Sequence, residues 1–465
     1  MSRNIRVIGA GLAGCEAAWQ AANLGAHVTL YEMRPSVSTG AHRTSDFAEL
    51  VCSNSLRSIS LENAVGLLKE ELARLGSLIV SAARETAVPA GGALAVDRER
   101  FSESVESRLQ SHPSITIKRE EVRSLDGKEP TIVACGPLAS PALADELARL
   151  CGKPQLHYYD AASPIVSADS IDMSQVFAGS RYGKGGDDYL NIPLDREQYL
   201  ELVTDLVNSP KAAPHGALET LDEASIEYFE ACLPVEEMAR RGVDTLRFGP
   251  LKPVGLQRRD VGGDCQIAPY AVVQLRRENA AGTAYNMVGF QTRLTWPAQK
   301  ATFGKLPGLH DAEWLRLGVM HRNTFVDAPR VLAEDLSLRN AAHVFLAGQV
   351  SGCEGYVEAA ATGLLAAHNA WRRISENHIP FRPSTATALG ALLAYLQDTT
   401  SPDFQPQNVT FAYFSPLASS VRDKRERRRL MAQRSLSEVD RIAAELAAQR
   451  AAVDLQIRPL EKSYA

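Results

Sequence analysis

Six residues near the amino terminus, Gly9-Ala10-Gly11-Leu12-Ala13-Gly14, have the composition and spacing with which a chain cradles a pyrophosphate. The first glycine permits a tight turn, the second lets backbone amides approach a phosphate, and the third lets a helix pack closely on a strand. Glu32, eighteen residues beyond Gly14, is placed for a ribose hydroxyl. Thiols are the second candidate chemistry. Seven cysteines at irregular spacing make neither a disulfide framework nor a paired CxxC zinc site, so no metal centre is expected and a reducing cytoplasm is the natural setting. Cys52 precedes the polar turn Ser53-Asn54-Ser55. Cys232 lies just ahead of Pro234, a residue favoured at the first position of a helix, which Val235 to Arg241 can continue. A thiol at such a helix start gains from the dipole, although Glu230, Glu236 and Glu237 oppose it. Cys15 and Cys353 also stand in or beside glycine-rich turns and read as packed residues, the commoner state of an unpaired cysteine.

The elements that must position these groups are legible around them. Ile5 to Ile8 has strand length, the glycine turn opens a helix through Ala22, and His27 to Tyr31 is a second β-branched run ending at Glu32. That is a β-α-β unit built to hold a dinucleotide. Asn63 to Ala83 reads as one packing helix, with Val65, Leu68, Leu72, Leu75 and Ile79 on one stripe. Thr131 to Ala134 and His343 to Ala347 read as returns to the first sheet, the latter stopping at Gly348-Gln349 before a helix from Val357 to Ala370. Strand-like runs at Tyr270 to Leu275 and Tyr285 to Phe290 belong to an inserted region. Ser435 and Glu438 have the spacing of a capping box and are expected to start a final helix striped by Leu436, Val439, Ile442 and Leu446.

With 465 residues, 45% hydrophobic and 23% charged, the chain has the make-up of a soluble protein of two or three domains, which sets aside disorder and fibrous repeats. No apolar run reaches the length of a membrane span and no signal peptide is visible. The net charge of -5 is uneven: residues 240 to 305 hold eleven Lys or Arg against four acids, a local +7 compatible with an anionic partner. The cluster at Arg422, Lys424, Arg425, Arg427, Arg428 and Arg429 reads as a solvated helix face.

A dinucleotide turn closed by an acid, with a late strand-glycine-helix return, suggests FAD held as in two-domain flavoproteins. More specific stretches are Glu49-Leu50-Val51-Cys52-Ser53-Asn54-Ser55-Leu56-Arg57-Ser58, Val88-Pro89-Ala90-Gly91-Gly92, Cys232-Leu233-Pro234, Phe248-Gly249-Pro250-Leu251-Lys252-Pro253, Gly318-Val319-Met320-His321-Arg322-Asn323 and Glu354-Gly355-Tyr356-Val357-Glu358. With the glycine turn and Tyr31-Glu32-Met33-Arg34-Pro35, they resemble the folate- and FAD-dependent tRNA (uracil-5-)-methyltransferases of the TrmFO family, and the resemblance thins only at the tail. It implies an α/β fold with a Rossmann-like FAD-binding domain of the glutathione-reductase type, an inserted α+β domain and C-terminal helices. The divisions expected are 1–154 and 331–465 for the FAD-binding parts and 155–330 for the substrate and RNA side.

The resemblance further implies a cytoplasmic enzyme, expected to be a monomer without an obligate protein partner or membrane, that makes 5-methyluridine at position 54 in the tRNA T loop. Methylenetetrahydrofolate supplies the carbon, reduced FAD carries it, and NADPH or NADH reduces the flavin. Cys232 matches the family's nucleophile, which adds to uracil C6, and Cys52 a second catalytic cysteine on the flavin side. Gly9, Ala10, Gly11, Leu12, Ala13, Gly14, Glu32, Gly348, Gln349, Gly352 and Glu354 are the expected FAD contacts, His321 and Tyr356 the folate contacts, and Arg240, Arg241, Arg258 and Arg259 candidate RNA contacts. Rival readings are the same chemistry on a ribosomal RNA uridine, a related flavoprotein acting on the wobble uridine, an oxidoreductase of a small metabolite, and a non-catalytic flavin-containing RNA-binding protein.

Overall fold

The computed structural model describes residues 3–152, 156–212, 228, 233–256, 258–259, 266–375, 378–400 and 404–461; the side chains of Arg258, Arg259 and His321 lie outside that description, as does Cys232 entirely. A six-stranded sheet is built in the order Ser337–Leu338, Ala341–Leu346, Thr131–Val133, Asn4–Ile8, His27–Tyr31 and Ile115–Lys118, parallel throughout except for its Ser337–Leu338 edge. The Asn4–Ile8 strand lies between Thr131–Val133 and His27–Tyr31, and its side chains at Ile5, Val7 and Ile8 are buried, as a strand covered on both faces requires. Helices Leu12–Asn23 and Tyr356–Ile374 pack together against this sheet, and most of the latter's side chains are buried.

A second sheet has the order Phe177–Ala178, Tyr189–Leu194, Ala271–Arg277, Ala284–Met287, Ile165–Ser167 and Trp314–Arg316, antiparallel throughout. It carries its own apolar core around Val166, Ile192, Val273, Met287 and Phe290. A two-stranded ribbon, Leu156–Ala161 with Met320–Phe325, flanks it in the chain on both sides. The strand expected to reach Phe290 ends at Met287, because Gly289 takes a positive φ of 77° and sits against Pro250, where a side chain would clash.

Two helix expectations are corrected. The stripe read as one helix over 63 to 83 is two, Ala64–Arg74 and Leu78–Glu85, because Gly76 adopts a φ of 77° and Ser77 caps the second helix by accepting from Val80 N. Ser435 starts nothing: the last helix runs Lys424–Glu461, and Ser435 sits buried within it, donating to the Glu71 carboxylate. Glu71 also accepts from the amides of Ala388 and Leu389 at the start of helix Ala388–Leu396, joining three helices through one buried side chain. Burial pushes Glu71 up to about 7. Among the described residues, no helix is long and apolar enough to cross a membrane.

Candidate active site

The glycine turn is fixed by close contacts of its own. A Cβ on Gly14 would lie 1.7 Å from the Gly9 carbonyl oxygen, whereas one on Gly11 would meet nothing within 4 Å. Gly14 is therefore a packing residue, and Gly11 is the position that faces open space at the start of helix Leu12–Asn23. Glu32 accepts from the Ala10 amide at 2.9 Å and from the Arg34 amide and Nε at 3.0 and 2.9 Å. Burial alone would raise this carboxyl, but the Arg34 hydrogen bond and charge outweigh it and hold it below the usual carboxylate range. Arg34 is itself buried and reaches Glu49 Oε2 at 3.1 Å, a clamp that the residue spacing had not revealed.

A cleft with about 1030 Å³ of open space runs from this turn past Gly348 and Gln349 to Tyr356. Of the expected cofactor residues, Gly9, Gly11, Leu12, Ala13, Glu32, Gly348 and Gln349 line it. Ala10 and Gly14 stand just behind the wall. Gly352 packs under Phe404, and Glu354 is buried, accepting from the Gln349 side chain at 2.8 Å, so both support the return turn from outside the cleft. The wall also includes Thr39 and His42, which no motif singled out. The start of helix Tyr356–Ile374 opens on the same cleft, adding the positive end of a second helix to that of the first.

At the far end the Tyr356 hydroxyl oxygen accepts from the Cys52 and Ser53 amides at 3.0 and 3.2 Å and lies 3.0 Å from Cys52 Sγ. With both lone pairs occupied by amides, the phenol has only its own hydrogen to offer the sulfur. Burial, and then the neighbouring sulfur, push the phenol well above its ordinary value, which keeps that hydrogen in place. Cys52 and Tyr356, assigned to different tasks from sequence, thus form one hydrogen-bonded pair.

Arginines surround the pair. Arg98 is ion-paired to Glu278 and donates to the Leu50 carbonyl. Arg276 donates through Nε to Asn54 Oδ1 at 2.9 Å and through Nη2 to Ser53 Oγ at 2.7 Å, so the second sheet grips the Cys52 loop directly. Arg316, like Arg276, is buried; burial first, then the Arg98 and Arg43 charges, bring it down to about 10, leaving it charged at neutral pH.

Other sequence candidates are distributed differently. Cys353 is buried, its thiol pushed up to about 12 by burial, and Cys15 is buried and donates to the Ala10 carbonyl; neither is a reactive thiol. Cys232 lies outside the described residues; the helix beyond it is Val235–Arg240, with Pro234 at its cap rather than inside it. The His321 backbone is in the Met320–Phe325 strand opposite Asp160. Arg240 is exposed and paired with Glu237, and the +7 segment is not one face: Arg276 and Arg293 are buried, Arg247 stacks on Tyr270, and Lys305 pairs with Glu201 and Asp205.

Comparison with known proteins agrees with this architecture. Residues 4–378 match the family described as Glucose inhibited division protein A. A protein of Symbiobacterium thermophilum named methylenetetrahydrofolate--tRNA-(uracil-5-)-methyltransferase TrmFO is 54% identical over 93% of this chain and 95% of its own length. The chain belongs to the TrmFO family. TrmFO proteins of Heliobacterium modesticaldum and Listeria monocytogenes are 52% and 49% identical, covering 95% and 96% of the chain and 98% and 100% of their own lengths. Aquifex aeolicus GidA shares the fold, with a TM-score of 0.68 at 17% identity over 99% of this chain and 79% of the GidA chain. The TrmFO fold is thus a Rossmann-like α/β body bearing a second, antiparallel sheet.

Proposed function

We propose that this protein methylates uracil C5 in tRNA with methylenetetrahydrofolate as carbon donor and FAD as cofactor, at position 54 of the T loop, with NADPH or NADH as reductant. The observation that carries the reading is the continuity of the dinucleotide cleft with the Cys52–Tyr356 pair, in a chain whose full-length relatives bear that enzyme name. The cleft suits FAD: Gly11 leaves room for a phosphate at a helix start, and Glu32 stands where a ribose would lie. When bound, FAD and the folate supply the one-carbon unit and the reducing equivalents.

The chain's own residues have separable tasks in this proposal. Gly9, Gly11, Leu12, Ala13, Glu32, Gly348 and Gln349 hold the cofactor. Cys232 attacks uracil C6, forming the S–C6 bond and passing the displaced electron pair to C5 and O4. Cys52, oriented by Tyr356, acts on the cofactor side, while His321 and the Tyr356 ring bound the pterin. Arg240, Arg241, Arg258 and Arg259 meet RNA phosphate, and the uridine leaves its stack to enter. The division into 1–154 plus 331–465 around 155–330 belongs to the same reading, supported by the ribbon that pairs 156–161 with 320–325.

The test is to incubate the purified protein with FAD, NADPH or NADH, methylenetetrahydrofolate and an unmodified tRNA transcript, and to map 5-methyluridine. Product at position 54, lost in Cys52→Ala with FAD retained, is the expected result. Product only on ribosomal RNA would move the target. A protein that binds no FAD, or is active without folate, would end the reading. A 5-fluorouridine transcript should be trapped on Cys232; trapping on Cys52 would exchange the two roles.

A further inference from the structure

Cross-strand register places four residues in one row on the second sheet. Arg276 is opposite Asn286 and Asn286 opposite Ile165; the edge strand shifts register between Trp314 and Arg316, and past that irregularity Arg316 comes opposite Ile165. Directly opposed residues share a face of an antiparallel sheet. Two neighbours identify that face as the one turned toward the Rossmann-like body: Arg276 binds Ser53 and Asn54, and Tyr189, opposite Arg276 on the other side, donates to the Ala90 carbonyl at 2.9 Å. Arg276 is satisfied there. Arg316 and Asn286 are not: Arg316 Nε and Nη2 and Asn286 Nδ2 have no hydrogen-bond partner among the described residues, at 8% and 2% exposure.

A buried guanidinium whose donors find no acceptor is unfavourable, and a bound ligand can supply that acceptor. The largest charge interactions of Arg316 are with Arg98, Arg43, Tyr356 and Cys52, and Tyr356 lines the cleft, so Arg316 stands beside the Cys52 end. Arg98 is neutralised by Glu278, and Arg276 is held by two neutral partners, so positive charge remains in excess. The unused groups are all donors, which calls for an acceptor, an oxygen or an unprotonated ring nitrogen, and the excess positive charge favours an anionic one.

We propose that the Asn286–Arg316 row is a receptor for a pyrimidine-dione ring that becomes anionic, its N–C–O edge accepting from Arg316. The inference rests on the reading of the cleft as an FAD site beside a uracil site, and two rings in that reading share this chemistry: the dione ring of the flavin and the target uracil after a thiol has added at C6. Both gain an electron pair that spreads onto a ring oxygen. Arg316 is a fixed, planar, permanently charged donor for that oxygen.

Sulfite distinguishes the sources. Its sulfur bonds to flavin N5, and the electron pair passes into the dione ring, leaving that ring anionic with no RNA present. Wild-type, Arg316→Lys and Arg316→Met proteins loaded with FAD are titrated with sulfite by bleaching of the flavin, and are separately mixed with a 5-fluorouridine tRNA transcript to follow the covalent adduct. If the flavin is the partner, Arg316→Met weakens sulfite binding roughly tenfold or more, with Lys in between. If uracil is the partner, sulfite binding is unchanged and adduct formation slows by that factor. FAD-loaded Arg316→Met unchanged in both arms overturns the proposal. Should that variant not fold, an Arg316→Lys protein equal to wild type in both arms does the same. A wild-type protein that holds no FAD overturns the functional reading itself.

Discussion

The two ends of the cleft are finished to different degrees. At the glycine turn the protein satisfies itself: Glu32 is bonded to Ala10 and Arg34, the Gly9 amide to the Tyr31 carbonyl, and Gly14 is packed on Gly9. At the Cys52 end one wall is equally complete, yet the facing row leaves Arg316 and Asn286 donors unused. The turn is a preformed seat whose geometry is a property of the chain alone. The other end is preorganised for something that brings negative charge, and pays for it in desolvation.

The largest effect that could break this contrast is at Gly14. Replacement by Ala puts a carbon inside the Gly9 carbonyl, and a loss of about 4 kcal/mol or more is expected, seen as poor folded yield and a collapsed melting temperature. Gly11→Ala clashes with nothing in the protein, so its apoprotein should melt within about 0.5 kcal/mol of wild type while FAD binds more weakly in equilibrium dialysis. Equal damage in both would mean that the turn is not self-supporting. Next is Arg276→Met, which removes two charged hydrogen bonds from the Cys52 loop and should cost about 2 kcal/mol by urea unfolding.

Thiol reactivity sharpens the comparison without touching the fold. Iodoacetamide at neutral pH should label Cys52, which is partly exposed, on the order of a hundredfold faster than Cys353 or Cys15, with peptide mapping as the readout. Labelling of Cys353 at a similar rate would open the return turn. The last effect is pH dependence at His42, on the cleft wall. Burial, then the Arg34 charge, bring its pKa from 6.5 to about 4. Between those values the unfolded chain takes up a proton that the folded chain refuses, so stability falls as pH drops from 6.5 to 4, by no more than about 1.4 kcal/mol per pH unit. His42→Gln should flatten that part of a urea-midpoint profile against pH.

Local signals carried the first sheet well. The His27–Tyr31 strand and the glycine turn need only neighbours in sequence, and both stand where spacing placed them. Spacing failed where a distant partner decides. Ser435 and Glu438 have capping-box spacing, but Glu71 claims the serine in mid-helix. Gly352 and Glu354 share a turn with Gly348 but stand behind the cleft wall, the one against Phe404 and the other accepting from Gln349. Arg316 carried no motif at all, since its meaning comes from register with Ile165 and Asn286 across strands far apart in the chain. Family resemblance supplied Cys52 and Tyr356 as separate assignments; their shared hydrogen bond needed coordinates.

The order of the first sheet has a consequence for biosynthesis. Thr131–Val133 is bordered on one side by Asn4–Ile8, available early, and on the other by Ala341–Leu346, which leaves the ribosome only after the whole second sheet. During that interval a nascent chain holds an open edge of buried-type residues, and its closing contacts are long-range ones, Thr131 to Val133 with Val344 to Leu346. The second sheet, with a core of its own, can mature in the meantime and act as a spacer rather than a competitor for that edge. Holdase chaperones that recognise extended apolar strands should therefore engage ribosome-bound chains stalled before residue 341 and release those stalled well beyond residue 374.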